Sequence, residues 1–136
     1  MITREQARMK DTWGVLTDKH SFPMTTEFKL WNESEKNYAR KYLGALRKTP
    51  ARIHSSGLGQ AMAFLRSRGD EVSKDLCNDL GKLVHVPFGI QGDDLIATIR
   101  SQNAAFQFAA TDEAMQICGW LIRYMAGAGV TAEEER

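Results

Sequence analysis

The sequence predicts an all-α fold, a single compact bundle of five to six helices. Three observations lead there: apolar residues recur at helical spacing along most of the chain, no alternating strand pattern or hairpin signal competes, and the interruptions fall at Gly, Pro and helix-capping residues. At 136 residues and 43% hydrophobic, the chain is long enough for one core and short for two. Residues 1–136 therefore read as one helical domain, with 130–136 a frayed tail beyond the breaks at Gly127 and Gly129.

Ile2, Met9, Trp13 and Leu16 fall within about 40° of one line on a helical wheel, with Arg4 and Arg8 on the far side, which predicts a first amphipathic helix. The pattern breaks between Thr17 and Asn32 at Ser21-Phe22-Pro23, where Phe22, Phe28 and Trp31 are expected to pin a loop to the core. A second helix is expected from Ser34, capped by its hydroxyl and favoured by Glu33 and Glu35 at the positive end of the helix dipole. Its apolar side is Tyr38, Tyr42, Leu43 and Leu46. Thr49-Pro50 reads as a cap followed by a first-turn proline, placing a third helix over Pro50 to Arg68 with Ile53, Leu58, Met62 and Leu65 as its bulk.

Gly69-Asp70 ends that helix and starts a fourth, Glu71 to His85, with Val72, Leu76, Leu80, Leu83 and Val84 inward and Lys74, Asp75, Asp79 and Lys82 outward. Pro87 to Gly92 is a loop, and Asp93-Asp94 opens a short fifth helix through Leu95, Ile96 and Ile99. The last helix spans Asn103 to Met125 on Phe106, Phe108, Met115, Cys118, Leu121, Ile122 and Met125, and Glu133 to Arg136 should fray.

Net charge is only +1, but its distribution is uneven. Residues 1–68 hold 13 cations against 6 acids, and residues 69–136 hold 5 against 11. Lys36, Arg40, Lys41, Arg47, Lys48, Arg52, Arg66 and Arg68 occur with no acidic residue between the first and the last. Lys36, Arg40 and Arg47 share one line of the wheel, Lys41 and Lys48 another, both away from the apolar side. Such a concentration of cations points to polyanions as partners, and these eight are the candidate nucleic-acid-binding residues. Ser55, Ser56, Gly57, Gly59, Ala61 and Ala63 make the third helix small-faced. Each interior glycine costs about 1 kcal/mol relative to alanine, so something is expected to approach that backbone. A neighbouring helix is one answer. A shallow strip along Arg52, Ser56, Gly59, Ala63 and Arg66 that seats a phosphate backbone is the other.

Local signatures of catalysis are missing. His20, His54 and His85 have no partner at metal-ligand spacing, and the sequence carries no HExxH, CxxC or Gly-rich loop ending in Lys-Ser. Gly57-Leu58-Gly59 lacks the strand and the lysine of a phosphate loop, and His54 reads as a packed or rim histidine. In Asp93-Asp94 and Asp112-Glu113 the neighbours diverge by about 100° on a helix, so they read as first-turn dipole partners or solvated residues. No catalytic residue, metal or cofactor is expected. Cys77 and Cys118 lie in apolar helical patterns and read as buried free thiols. The N-terminal MITREQARMKD has no apolar signal core and no segment approaches the ~20 apolar residues of a membrane span, so a soluble, cytoplasmic protein without a membrane partner is expected.

The segment YLGALRKTPARIHSSGLGQAMAFLRSR resembles the signature of the small, fifth subunit of the Cmr complex, the type III-B CRISPR RNA-guided silencing effector. In that signature a Tyr, two basic residues and a Pro lead into the run that here is Ser56-Gly57-Leu58-Gly59-Gln60-Ala61-Met62-Ala63-Phe64-Leu65. Ala110-Thr111-Asp112-Glu113-Ala114, followed by Trp120-Leu121-Ile122-Arg123-Tyr124, is similar to a second block of the same family. The two blocks cover about a third of the chain in the family's order. His54 departs from an expected aliphatic residue, Gly119 loosens a helix interior, and residues 69–102 show no match.

The resemblance implies a non-catalytic subunit that stacks head to tail with further copies of itself beside the other Cmr complex subunits. It implies contact with guide RNA and target RNA through phosphates, without regard to base identity. An alternative is a scaffold whose basic half docks on the acidic half of the next copy without direct nucleic-acid contact. A DNA-reading helix-turn-helix is disfavoured, because the third helix offers mostly Ser, Gly and Ala where such a helix projects Arg, Asn or Gln.

Overall fold

Thr3 and Asn32 start the first two helices with the same device, a capping box. The Thr3 hydroxyl accepts from the Gln6 amide while the Gln6 side chain accepts from the Thr3 amide, and Asn32 and Glu35 repeat this exchange. The structure, a computed structural model, describes residues 1–132, and in it six α-helices follow in order. They are α1 (Arg4–Gly14), α2 (Glu33–Ser56), α3 (Leu58–Ser67), α4 (Glu71–His85), α5 (Leu95–Ser101) and α6 (Ala104–Gly127). No strand occurs among the described residues, so the fold is all-α as predicted. Asp70, Asp94 and Asn103 cap α4, α5 and α6 through their side chains.

Two boundaries differ from the sequence reading. Helix α2 begins one residue before Ser34, because Asn32 supplies the cap. It also runs through Pro50 to Ser56, so Thr49-Pro50 is no turn. The Thr49 hydroxyl donates to the Ala45 carbonyl (2.9 Å) inside a continuous helix. The break comes at Gly57, with φ 89° and ψ 160°, a conformation open essentially to glycine alone. A Cβ on Gly57 would meet nothing within 4 Å, so its backbone conformation explains the glycine, not a close neighbour. Gly59 faces α5, where an added Cβ would sit 3.8 Å from Ile99, an ordinary contact. The tight approach lies at Gly81, where a Cβ would fall 2.1 Å from the Asp93 carbonyl oxygen, so α4 meets the segment before α5 backbone to backbone.

Helices α2 and α6 run in opposite directions through the molecule. Ser56 at the end of α2 and Phe108 near the start of α6 line one groove, while the Phe28 amide, just before α2, donates to the Ala128 carbonyl beyond α6 (3.2 Å). Helix α2 packs on α3, α4 and α6, and α1 covers α6. Buried residues of all six helices or partly buried ones packed on them join one cluster. Phe22, Phe28 and Trp31 anchor the irregular segment in that cluster as the sequence suggested, with Phe22 stacked on Trp31 (ring centres 5.5 Å apart). Cys77 and Cys118 are free and buried, and burial pushes the Cys118 thiol up to about 12.

The expected solvent positions hold two surprises. Asp79, placed outward by the wheel, is 1% exposed. Lys19 forms an ion pair with it, the His20 Nε2 lies 2.7 Å from its Oδ2, and the Tyr42 hydroxyl donates to the same oxygen (2.7 Å). A π-helical turn, Val15–Lys19, closed by the His20 amide on the Val15 carbonyl (3.1 Å), delivers Lys19 and His20 together to this carboxylate. Asp75, also placed outward, is half-buried and accepts from the Tyr38 hydroxyl.

Glu113, read as a dipole partner or a solvated residue, is likewise buried in mid-α6. Arg4 and Arg8, read as the exposed side of α1, close on it at 2.7 and 2.8 Å. Trp120 donates its indole N–H to Glu5 (3.0 Å), completing the attachment of α1 to α6.

Two apolar assignments also fail: Ile2 precedes the Thr3 cap and is exposed, and Phe108 on α6 is 77% exposed. At the other end Val130, placed by the sequence in a frayed tail, is buried, and its amide donates to the Met125 carbonyl (3.1 Å). The fraying expected of Glu133 to Arg136 lies outside the described residues.

Gly57→Ala forces a side chain into a φ/ψ region it avoids, and equilibrium denaturation should show a loss of about 1–3 kcal/mol with an unchanged m-value. Burial pushes the Glu113 carboxyl up, but hydrogen bonds from Arg8 and Arg4 outweigh it and leave the group below the usual glutamate range. A depressed folded-state pKa stabilises above the unfolded value and is lost as pH falls through the folded one. Stability should therefore drop below pH ~4, and Glu113→Gln should cost about 2 kcal/mol at pH 7 and progressively less toward pH 3. Parallel unfolding curves for the two proteins across that range would contradict this linkage.

Candidate nucleic-acid interface

The outward face of α2 is set by what the helix buries. Tyr42, Leu43, Leu46 and Ile53 are sequestered in the core, which turns the residues on the other lines of the helix outward. At 24 residues the helix is about 36 Å long, so six of the eight predicted cations are strung along one rigid element.

The structure gives these cations different settings. Lys41 and Arg47 are exposed and have no ion-pair partner among the described residues. Lys36 lies 3.6 Å from the Glu33 carboxylate one turn earlier, with most of its side chain covered. The Arg40 guanidinium sits 5.2 Å from the centre of the Phe28 ring, and Lys48 is half-buried. These contacts hold the stems of Lys36 and Arg40 against the protein, which lowers the entropy lost when the heads engage a ligand.

The break at Gly57 brings the end of α2 against α3 and creates a feature that sequence reasoning missed. The Arg52 guanidinium lies 3.7 Å from the centre of the Phe64 ring, and Arg68 approaches the same ring at 5.8 Å. Phe64 is partly exposed, so two guanidinium groups share an accessible aromatic face. The available signal was the spacing of Arg68 and Phe64 at i, i+4 on one helix, but the contact with Arg52 needs the chain to fold back at Gly57.

Arg66 turns away from this group. It pairs with Asp94 at 2.9 Å, and that hydrogen bond, followed by one from the Ala97 amide, holds the Asp94 carboxyl below its usual range. Asp94 caps α5 at the same time, so Arg66 ties α3 to the start of α5. Arg68 lies 3.4 Å from Asp70, the cap of α4. The single line from Arg52 through Ser56, Gly59 and Ala63 to Arg66 is therefore divided between two helices. Its middle members, Ser56, Gly59 and Ala63, line a groove of about 630 Å³ between α3, α5 and the start of α6.

Within the described residues no cluster of His, Cys, Asp and Glu is arranged to hold a metal ion, and no helix is long and apolar enough to cross a membrane. His54 is exposed near the end of α2.

Comparison with known proteins adds an independent line of observation. The Cas_Cmr5 family model, described as a CRISPR-associated protein, matches residues 26–128, a span that contains all eight predicted cations. Among solved structures, a CRISPR-associated Cmr5 family protein from Thermus thermophilus shares the fold with a TM-score of 0.66 at 23% identity, over 96% of this chain and 98% of that one. No curated protein matches.

Proposed function

The chain belongs to the Cas_Cmr5 family of CRISPR-associated proteins, the small subunits of the Cmr complex, and from that premise we propose that it is a non-catalytic rail for RNA. Family membership makes other Cmr subunits its partners. In the finer reading, copies of the chain stack head to tail in a type III-B effector, and the outward face of α2 runs beside guide and target RNA in the cytoplasm. The observation that carries it is the run of cations along one long helix, with Lys41 and Arg47 exposed and free of carboxylate partners among the described residues.

Such a face neutralises phosphates and releases their counterions, which favours binding without reading a base. Base pairing between guide and target carries the sequence information. Arg52 and Arg68 around Phe64 extend the face past the Gly57 break, with guanidinium groups that suit a phosphate and a partly exposed ring edge that suits a base. Among the described residues Asp79 and Glu113 are the carboxylates buried most deeply, and cations of the fold hold both, which supports a structural role for them.

A scaffold without RNA contact finds support at one place. Lys36, Arg66 and Arg68 each have a carboxylate of the same chain nearby, so their charges already serve the fold.

Replacing both Lys41 and Arg47 by Gln should weaken single-stranded RNA retention by the assembled complex and flatten its log-log salt dependence by about 1.4 for each copy of the chain, from ~0.7 per lost phosphate contact. Helicity should not change, because both side chains are exposed. An unaltered salt slope with intact helicity would remove RNA from this face and leave the scaffold, for which salt-sensitive self-association in sedimentation without RNA is the expected signature.

A further inference from the structure

Leu30 and Phe108 are large apolar side chains left 69% and 77% exposed, and they stand at opposite ends of the molecule. Leu30 closes the short 3-10 turn Phe28–Leu30, which is tied to the far end of α6 by the Phe28 amide on the Ala128 carbonyl. Phe108 lies in the second turn of α6, nineteen residues before Gly127 and so about 28 Å away along the helix axis. Isolated exposed leucines are ordinary. Phe108, however, walls the 630 Å³ groove, whose floor is Leu58, Gly59, Ile96 and Ile99.

The two ends also differ in charge. The groove carries Arg100 and no carboxylate among its lining residues. Leu30 is flanked in sequence by Glu27 and Glu33, whose side chains are 69% and 80% exposed. Lys29 pairs with Glu27 at 3.2 Å in the open, a contact weak enough to rearrange.

We propose that Leu30 of one copy seats in the Phe108 groove of the next copy, with Arg100 facing Glu27 and Glu33. This inference rests on the head-to-tail stacking put forward above and supplies its contact. Two different patches at opposite ends make a heterologous interface, which propagates instead of closing into a dimer. Helix α2 spans the same two ends, since Ser56 borders the groove and Glu33 follows the Leu30 turn. Each added copy therefore sets its cationic rows in line with those of the last.

Cysteine cross-linking tests this directly, because Cys77 and Cys118 are buried and do not compete. The double variant Leu30→Cys/Phe108→Cys, oxidised with diamide as the isolated chain and within the assembled Cmr complex, should give a ladder of disulfide-linked multimers. Each single variant should stay monomeric, and an equal mixture of the two should stop at a heterodimer. Arg100→Glu added to the double variant should reduce the ladder at least fivefold, and Glu27→Arg with Glu33→Arg should restore it.

The contact is overturned by no ladder in either preparation, by self-linking of Leu30→Cys alone, or by a groove cysteine that links to a different Cmr subunit or is shielded by RNA. Sedimentation of the unsubstituted chain separates the two levels. Multimers without the ladder sink this contact and keep stacking, whereas their absence from both the isolated chain and the complex sinks both.

Discussion

A buried carboxylate, Asp79, is the constraint from which the arrangement of the N-terminal half follows. An unpaired charge at this depth costs several kcal/mol, so the fold has to bring partners to it. Lys19 and His20 come from the π-helical turn, Tyr42 from the inward face of α2, and the carboxylate itself from α4. Burial pushes the Asp79 carboxyl up, and the hydrogen bonds from His20, Lys19 and Tyr42 more than offset that, holding it below the usual aspartate range. Three segments far apart in sequence are thus locked in one relative orientation, with His20, Phe22, Tyr38 and Tyr42 packed ring to ring around the site. Polar networks of this kind specify an arrangement only when every member is satisfied.

Fixing α2 by Tyr42 fixes what it shows to solvent. Residues a few positions from the buried stripe are turned out, and here they are cationic. Cation heads on exposed lines of a rigid helix, with Lys36 covered along its stem and Arg40 against an aromatic ring, form a prepositioned field instead of a set of mobile charges. Arg66 shows the limit of reading function from charge alone. Its guanidinium is committed to Asp94, so it links α3 to α5 and contributes little net charge to the face.

Gly57 governs the other end. Because the chain reverses direction there and not at Pro50, Arg52 and Phe64 come face to face, and Ser56, Gly59 and Ala63 become the lining of a groove instead of a strip on one helix. Pro50 is tolerated inside α2 because helix interiors lose one hydrogen bond at proline while the helix remains clamped by Leu46, Thr49 and Ile53 in the core. Local propensity pointed to a boundary, and tertiary packing overrode it.

Much of this was legible from residue order. Periodicity placed α4 at Glu71–His85 with both ends correct, because Asp70 is a strong cap and the stripe from Val72 to Val84 is regular. The buried thiols, the aromatic anchors and the concentration of cations on one helix needed only composition and spacing. The motifs within residues 42–68 and 110–124 carried the family likeness.

The sequence by itself therefore determined the helical class, most of the apolar side of each long helix and the stretch of chain that bears the charge, since these depend on neighbours three or four residues apart. Only the tertiary structure decided the fate of polar residues on apolar stripes and apolar residues on exposed ones. Asp79 lies three residues after Leu76 and four before Leu83, and Glu113 beside Ala110 and Ala114, yet their partners come from 37 to 109 residues away. Phe108 keeps helical spacing with its neighbours but faces a groove that α3 and α5 complete. These ion pairs and these burials are properties of distant segments brought together, and no local pattern encodes them.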